Sequence, residues 1–371
     1  MHKITKLKIK GFKTFADLPD FEPLALNVLI GANGAGKSNF ISFFRLMSWM
    51  MASFGNLQLY VGIEGGAHKL LHDGSERTRE IEAELSIETG EGSNDYALRL
   101  FYAAGDSLVF ADERFRSSSR EYPSKGSWQS IGDAGHREPG LIARAEKNET
   151  ARTILSLLRG CVVYQFHNTS STSRMRQKWP VNDNRHLKED GGNLAPVLFR
   201  LRQDKPDSYG RVVKTLRLIV PFFNDFEITA DEGGHILLAW RENGSDVIFD
   251  ASQASDGMLR TFALVTLLGQ PETDLPKVLM LDEPELGLHP YAISIIGGMI
   301  KSASAYVQVF VATQSVTLIN QFAPEDIVVV EREGRASSLK RLDPEPLAQW
   351  LEEYSLGELW LKNILGGRPH R

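Results

Sequence analysis

The chain has 371 residues, 42% hydrophobic and 24% charged, a balance that excludes wholesale disorder and leaves room for one large domain or two ordinary ones. Its net charge of −5 supplies no overall basic field, so any nucleic-acid contact needs a local patch. One cysteine, Cys161, excludes an internal disulfide and fits a cytoplasmic location, and no run of about 18 apolar residues offers a membrane span.

From the N-terminus, Leu7 and Ile9 alternate with Lys6, Lys8 and Lys10, which predicts a half-buried strand in place of an apolar signal core. Residues 24–30 are more continuously apolar, as in a central parallel strand, and a glycine-rich loop then leads into an apolar helix over 39–54. The pattern next changes. Ile81, Ala83, Leu85 and Ile87 alternate with glutamates, Tyr96 to Tyr102 alternates again, and residues 108–110 make a third short strand, together an antiparallel meander. Residues 113–140 are polar and read as a long exposed loop. A helix over 150–158 and a buried strand over 161–166 follow, then helices over 193–202 and 209–219. Strands are expected over 227–230, 236–241 and 247–250, the last two joined by a turn at Asn243-Gly244. From Asp256 to about Val330 helix and strand alternate, the sign of a parallel α/β sheet. The expected architecture is a single α/β head over 1–371. Its parallel core comes from about 1–60 and 255–335, with an inserted antiparallel β lobe (61–112), a loop and helical lobe (113–254) and a helical tail (343–371).

Gly31-Ala32-Asn33-Gly34-Ala35-Gly36-Lys37-Ser38 fits G-x-x-x-x-G-K-[ST] between a strand and a helix. Glycines let successive N–H groups curl around phosphates, Lys37 neutralises the β and γ oxygens, and Ser38 offers a hydroxyl to Mg²⁺. Asn33, Gly34, Ala35, Gly36, Lys37, Ser38 and Asn39 are therefore the expected ATP contacts. Residues 278–281 form an apolar strand that ends in Asp282 and Glu283. At the carboxyl end of a parallel strand, Asp282 is placed to hold the metal and Glu283 to act as general base.

Ser255-Asp256-Gly257-Met258-Leu259-Arg260 precedes a helix, 27 residues ahead of Asp282, and resembles the S-D-G form of the ABC ATPase signature seen in RecF-like and OLD-like proteins. The resemblance implies that Ser255 and Gly257 touch the γ-phosphate bound by a second copy of the chain. The alternative is a plain helix cap. Asn33 matches the G-x-N-G-x-G-K-S variant of the phosphate loop. Glu285-Leu286-Gly287-Leu288-His289-Pro290 resembles the dimer-contacting segment after the catalytic glutamate, and Gly65-Gly66-Ala67-His68-Lys69-Leu70 the segment after the first helix in stand-alone AAA-type ATPases. Residues 309–315 look like the switch strand that usually ends in T-H-S, with Gln314 in the histidine's place; Gln can hydrogen-bond but carries no proton or charge. Gln165 is the candidate for the Q-loop glutamine, with a roleless buried strand residue the alternative. The long coiled coil of SMC proteins is absent.

Two clusters are candidate nucleic-acid contacts: Arg77, Arg79, Arg114, Arg116 and Arg120, and Arg174, Arg176, Lys178 and Arg185 around Trp179; solvated loop charge is the plainer reading. His167, His186 and His289 lack zinc-ligand spacing. Leu347, Trp350, Leu351, Leu356, Trp360 and Ile364 are spaced for a helix that closes the core or docks a partner. The resemblance, to compact ATPases of prokaryotic DNA-repair and phage-defence operons, implies ATP hydrolysis with Mg²⁺ and a homodimer closed across ATP. It also implies a separate effector chain, such as a nuclease. The alternatives are a RecF-like repair ATPase acting directly on DNA and a non-catalytic ATP-dependent scaffold.

Overall fold

The computed structural model of the protein describes residues 2–119 and 126–367. Its centre is a six-stranded sheet in the order Ala336–Arg341, Ile327–Glu333, Leu26–Ile30, Gln308–Ala312, Val278–Asp282, Cys161–Tyr164. Every neighbouring pair is parallel except the first, an antiparallel hairpin at the edge. The inner strands are apolar at successive positions because the sheet is covered on both faces. Val28, Ile30, Leu279, Leu281, Val309 and Val311 pack toward the helical lobe, where Asp256–Gly269, Leu194–Asp204 and Pro206–Ile219 meet them. Leu29, Met280, Phe310 and Val328 pack the other way, against the helix Lys37–Ala52 and a second sheet. On that helix Phe40 and Phe44, one turn apart, place their rings 5.8 and 5.5 Å from the ring of Phe310, which fixes the helix behind the phosphate loop.

The second sheet is antiparallel, in the order Phe15–Phe21, Lys3–Phe12, Glu80–Glu88, Gly92–Ala103, Ser107–Ser119, Gln129–Ser130. Two expectations change here. Lys3–Phe12, expected in the parallel core, instead pairs with Glu80–Glu88, with Lys3, Lys8 and Lys10 opposite Glu88, Glu84 and Glu82. The third meander strand runs to Ser119, well past residue 110 and into the expected loop. Glu113 hid that continuation: it points inward and is buried, where it accepts hydrogen bonds from the Tyr96 hydroxyl at 2.7 Å and from Gly140 N at 2.7 Å. A satisfied inward carboxylate breaks the apolar alternation without breaking the strand. Arg120 and the rest of 120–125 lie outside the described residues.

In the helical lobe the strand expected at 227–230 lies earlier, at Phe223–Phe226, and that expected at 236–241 divides into His235–Ile236 and Ala239–Glu242. Cys161–Tyr164 is an edge strand of the core sheet, so the middle of the chain also contributes to the core. The tail is no single helix: it forms the short helices Ala348–Leu351 and Leu356–Leu361, with Leu347, Leu356, Leu359 and Leu365 buried and Trp350 exposed. Among the described residues no helix is long and apolar enough to cross a membrane.

Candidate functional site

The phosphate loop leaves the carboxyl end of Leu26–Ile30 and enters Lys37–Ala52 directly. Gly34 has φ +77° with nothing within 4 Å of where a β-carbon would stand, and Gly36 has φ +120°, where a β-carbon would meet Ser337 Oγ at 2.4 Å. The first glycine therefore supplies backbone conformation and the second close approach. Lys37 is buried, and its ammonium donates to the Gly31 and Ala32 carbonyls at 2.6 and 3.1 Å. Burial lowers its pKa, against the pull of Glu283, Asp282 and Glu285. Asn39 does not point into the loop: its amide donates to Thr14 Oγ1 at 3.0 Å. Asn33, Gly34 and Ser38 are exposed at the loop's open side. From outside, the Ser337 hydroxyl donates to the Ala35 carbonyl at 2.6 Å and Arg332 to the Gly34 carbonyl at 3.2 Å.

Asp282 ends Val278–Asp282, the core strand next but one to Leu26–Ile30, with Gln308–Ala312 between them, and is buried. Gln165 donates its amide to Asp282 Oδ2, Arg45 donates to Gln165 Oε1 at 2.8 Å, and His167 Nε2 donates to the Asp282 carbonyl at 3.0 Å. Asp282 Oδ1 is buried with no hydrogen-bond partner among the described residues. Burial pushes the Asp282 carboxyl above the usual range, with the Gln165 bond opposing. An anionic oxygen left unsatisfied is what a hard divalent cation would satisfy, so Asp282 fits Mg²⁺.

Glu283 has φ +48°, a left-handed conformation that costs a non-glycine residue about 1–3 kcal/mol and recurs at functional sites. Its N–H is tied to the Ala312 carbonyl of the next strand at 2.8 Å, and its Oε1 accepts from the Gln314 amide at 2.7 Å. Glu285 anchors the same loop from behind, accepting from the Thr313 hydroxyl at 2.6 Å and Gln314 N at 3.2 Å. Its own carboxyl is pushed up by burial, and its Oε2 has no partner among the described residues.

Ser255 is exposed and accepts from Met258 N at 3.2 Å, capping its own helix. No hydrogen bond among the described residues joins Ser255 or Gly257 to the phosphate loop. Gly257 meets the 285–290 segment, where a β-carbon would stand 2.9 Å from the Gly287 carbonyl oxygen. Arg260 ties these parts together, donating to the carbonyls of Phe166 (3.1 Å), His167 (3.0 Å) and Leu286 (3.1 Å). His289 caps the next helix, its Nδ1 accepting from Tyr291 N at 3.2 Å.

The structure thus brings together Lys37, Asp282, Glu283, Gln165 and Gln314; Ser255 and Gly257 make no hydrogen bond to any of them among the described residues. Sequence reasoning missed Arg45, Glu285, Arg260 and the loop supports Thr14, Arg332 and Ser337. Arg260 and Glu285 sit inside motifs that were recognised, whereas the supports come from up to about 300 residues away and carry no local signal. The basic clusters are largely neutralised: Arg77 pairs with Asp73 (3.2 Å), Arg116 with Asp95 (2.7 Å), Arg174 with Asp190 (3.1 Å) and Lys178 with Asp231 (2.8 Å).

A family model described as "AAA domain, putative AbiEii toxin, Type IV TA system" matches residues 26–320. No curated protein matches the sequence. Among solved structures, the Smc head bound to the C-terminal winged-helix domain of ScpA is similar with a TM-score of 0.59 at 15% identity, over 93% of this chain and 99% of that one. The Smc head with an extended coiled coil, bound to the C-terminal domain of ScpA derived from Pyrococcus furiosus, is similar with a TM-score of 0.52 at 14% identity, over 95% and 99%. The fold is that of an ABC-type P-loop ATPase head, and the chain belongs to the AAA domain family that its residues 26–320 match.

Proposed function

We propose that the protein is an ATP-driven switch: two copies close head to head around two ATP molecules, and hydrolysis reopens them. The carrying observation is the division of the site. Lys37 feels the charges of Asp282 and Glu283, while Ser255 is exposed and Gly257 half-buried at a helix N-terminus, with no hydrogen bond among the described residues to the phosphate loop of their own chain. A hydroxyl at a helix N-terminus is an anion site, and the γ-phosphate of a second copy completes it.

Within one site, Lys37 and the loop amides grip the β and γ phosphates. Ser38 and Asp282 would hold Mg²⁺, which when bound neutralises phosphate charge. Glu283, oriented by Gln314, takes a proton from water as its oxygen attacks the γ-phosphorus; the bond to the bridging oxygen breaks and ADP leaves. The Gln314–Glu283 hydrogen bond supports a catalytic head over a non-catalytic scaffold, because it aims the base without a histidine. The neutralised basic clusters give no support to direct DNA loading. The toxin–antitoxin description of the family, and the ScpA domains bound to the Smc heads, support a separate partner chain; we read that partner as an effector in phage defence.

The test is Glu283→Gln, which keeps the side chain's shape and removes the base. ATP should then bind and persist, and the variant should run as a dimer on sizing with ATP and Mg²⁺. Turnover equal to wild type would remove Glu283 from the role.

A further inference from the structure

The C-terminal segment joins two parts of the site that no motif connects. The helix Leu356–Leu361 lies on the short helix Val316–Ile319, which begins directly after Gln314 and is capped by Ser315. The approach demands glycine: a β-carbon on Gly357 would stand 2.4 Å from Val316 Cγ1 and 2.9 Å from its carbonyl oxygen. Gly357 N donates to Asn320 Oδ1 at 2.7 Å, and Leu356 and Leu359 are buried beside it.

A few residues later the same segment reaches the phosphate loop. Ala32 N donates to the Gly367 carbonyl at 2.7 Å, so the second residue of the loop is hydrogen-bonded to the far end of the chain. Gly367 N in turn donates to Glu331 Oε1 at 2.9 Å. Gly366 and Gly367 both have left-handed φ, +82° and +76°. A β-carbon at the first would meet the Glu331 carboxylate at 2.5 Å; at the second it would meet Val329 Cγ1 at 2.9 Å and Gly31 Cα at 3.4 Å. Two consecutive left-handed residues in tight quarters define a built contact, not a loose end.

We propose that residues 356–367 form a strap that sets the phosphate loop against the switch loop, with Glu331 and Gly367 as positioning residues for nucleotide binding and Gly357 as the anchor on the switch side. Gln314 and Ala32 each lie one short connection from the strap, so pulling it at one end loosens the other. A partner that displaced the strap would lower ATP affinity without touching a nucleotide contact. The inference rests on residues 31–38 being the nucleotide site.

The test uses the full chain, ADP with Mg²⁺ in a calorimetric titration, and hydrogen exchange of peptides covering 31–36 and 315–320. Glu331→Ala removes the acceptor for Gly367 N. It should weaken ADP binding roughly three- to tenfold, the range for one lost hydrogen bond, and speed exchange over 31–36. Glu331→Gln keeps the acceptor oxygen and should stay within about twofold of wild type. Gly357→Val, placed at the other end, should also speed exchange over 31–36; if it fails to fold, the Glu331 pair decides. A folded Glu331→Ala with wild-type affinity and exchange would overturn the strap. A wild-type chain that binds no nucleotide would overturn the nucleotide site instead, while the exchange arm still tests the strap.

Discussion

Gln314 occupies the place where the resembling ATPases carry a histidine, and its amide stands 2.7 Å from Glu283 Oε1. A hydrogen bond to an ionised carboxylate contributes about 1.5–3 kcal/mol. If it holds the base where the attacking water needs it, Gln314→Ala should lower kcat by about 10- to 150-fold, at about 1.4 kcal/mol per factor of ten. KM for ATP should change little, because the phosphate grip lies on Lys37 and the loop. Gln314→His can still donate and should stay within about tenfold of wild type. Gln314→Glu replaces the donor with an acceptor and should lower kcat at least as much as Gln314→Ala. Steady-state phosphate release over a range of ATP concentrations separates these outcomes. A Gln314→Ala enzyme with kcat within twofold of wild type would refute the reasoning and make the contact incidental.

Lys37→Ala should reduce ATP affinity by about a hundredfold or more, since it removes the ammonium already seated in the loop; nucleotide titration reads this. Glu285 gives a pH-dependent prediction. Burial raises its carboxyl above the unfolded value of 4.5, so the stability it contributes is full below that value and is lost as pH rises through the folded value. Glu285→Gln keeps one acceptor for Thr313 and Gln314 and cannot ionise, so it should melt higher than wild type at pH about 8, with the two converging near pH 4. A melting difference that is constant with pH would contradict this.

The core sheet and its phosphate loop were legible because each of their signals is local: an apolar run, a glycine spacing, two carboxylates at a strand end. Strand partnership was not. Lys3–Phe12 has the same alternation whichever sheet it joins, and its partner Glu80–Glu88 lies some 80 residues away. Glu113 shows a second limit, since an inward carboxylate reads as surface until its partners Tyr96 and Gly140 are in view. In the site, the residues proposed for chemical roles were visible in motifs, whereas those that hold them in place were not. Arg260, which grips three carbonyls, looks in sequence like any exposed helical arginine.

The division of the site between two copies is tested most directly by mixing two inactive variants. Ser255→Arg should bind ATP as a single subunit but block closure, because a bulky side chain would stand where the second γ-phosphate belongs. Lys37→Ala should present a sound signature with no working phosphate loop. Each alone has two dead sites, while a mixed dimer pairs the intact loop of one chain with the intact signature of the other and rebuilds one. Phosphate release should therefore recover partially on mixing, in proportion to mixed dimer. No recovery, with subunit exchange confirmed by a fluorescent label, would mean that Ser255 only caps its own helix and that each chain works alone.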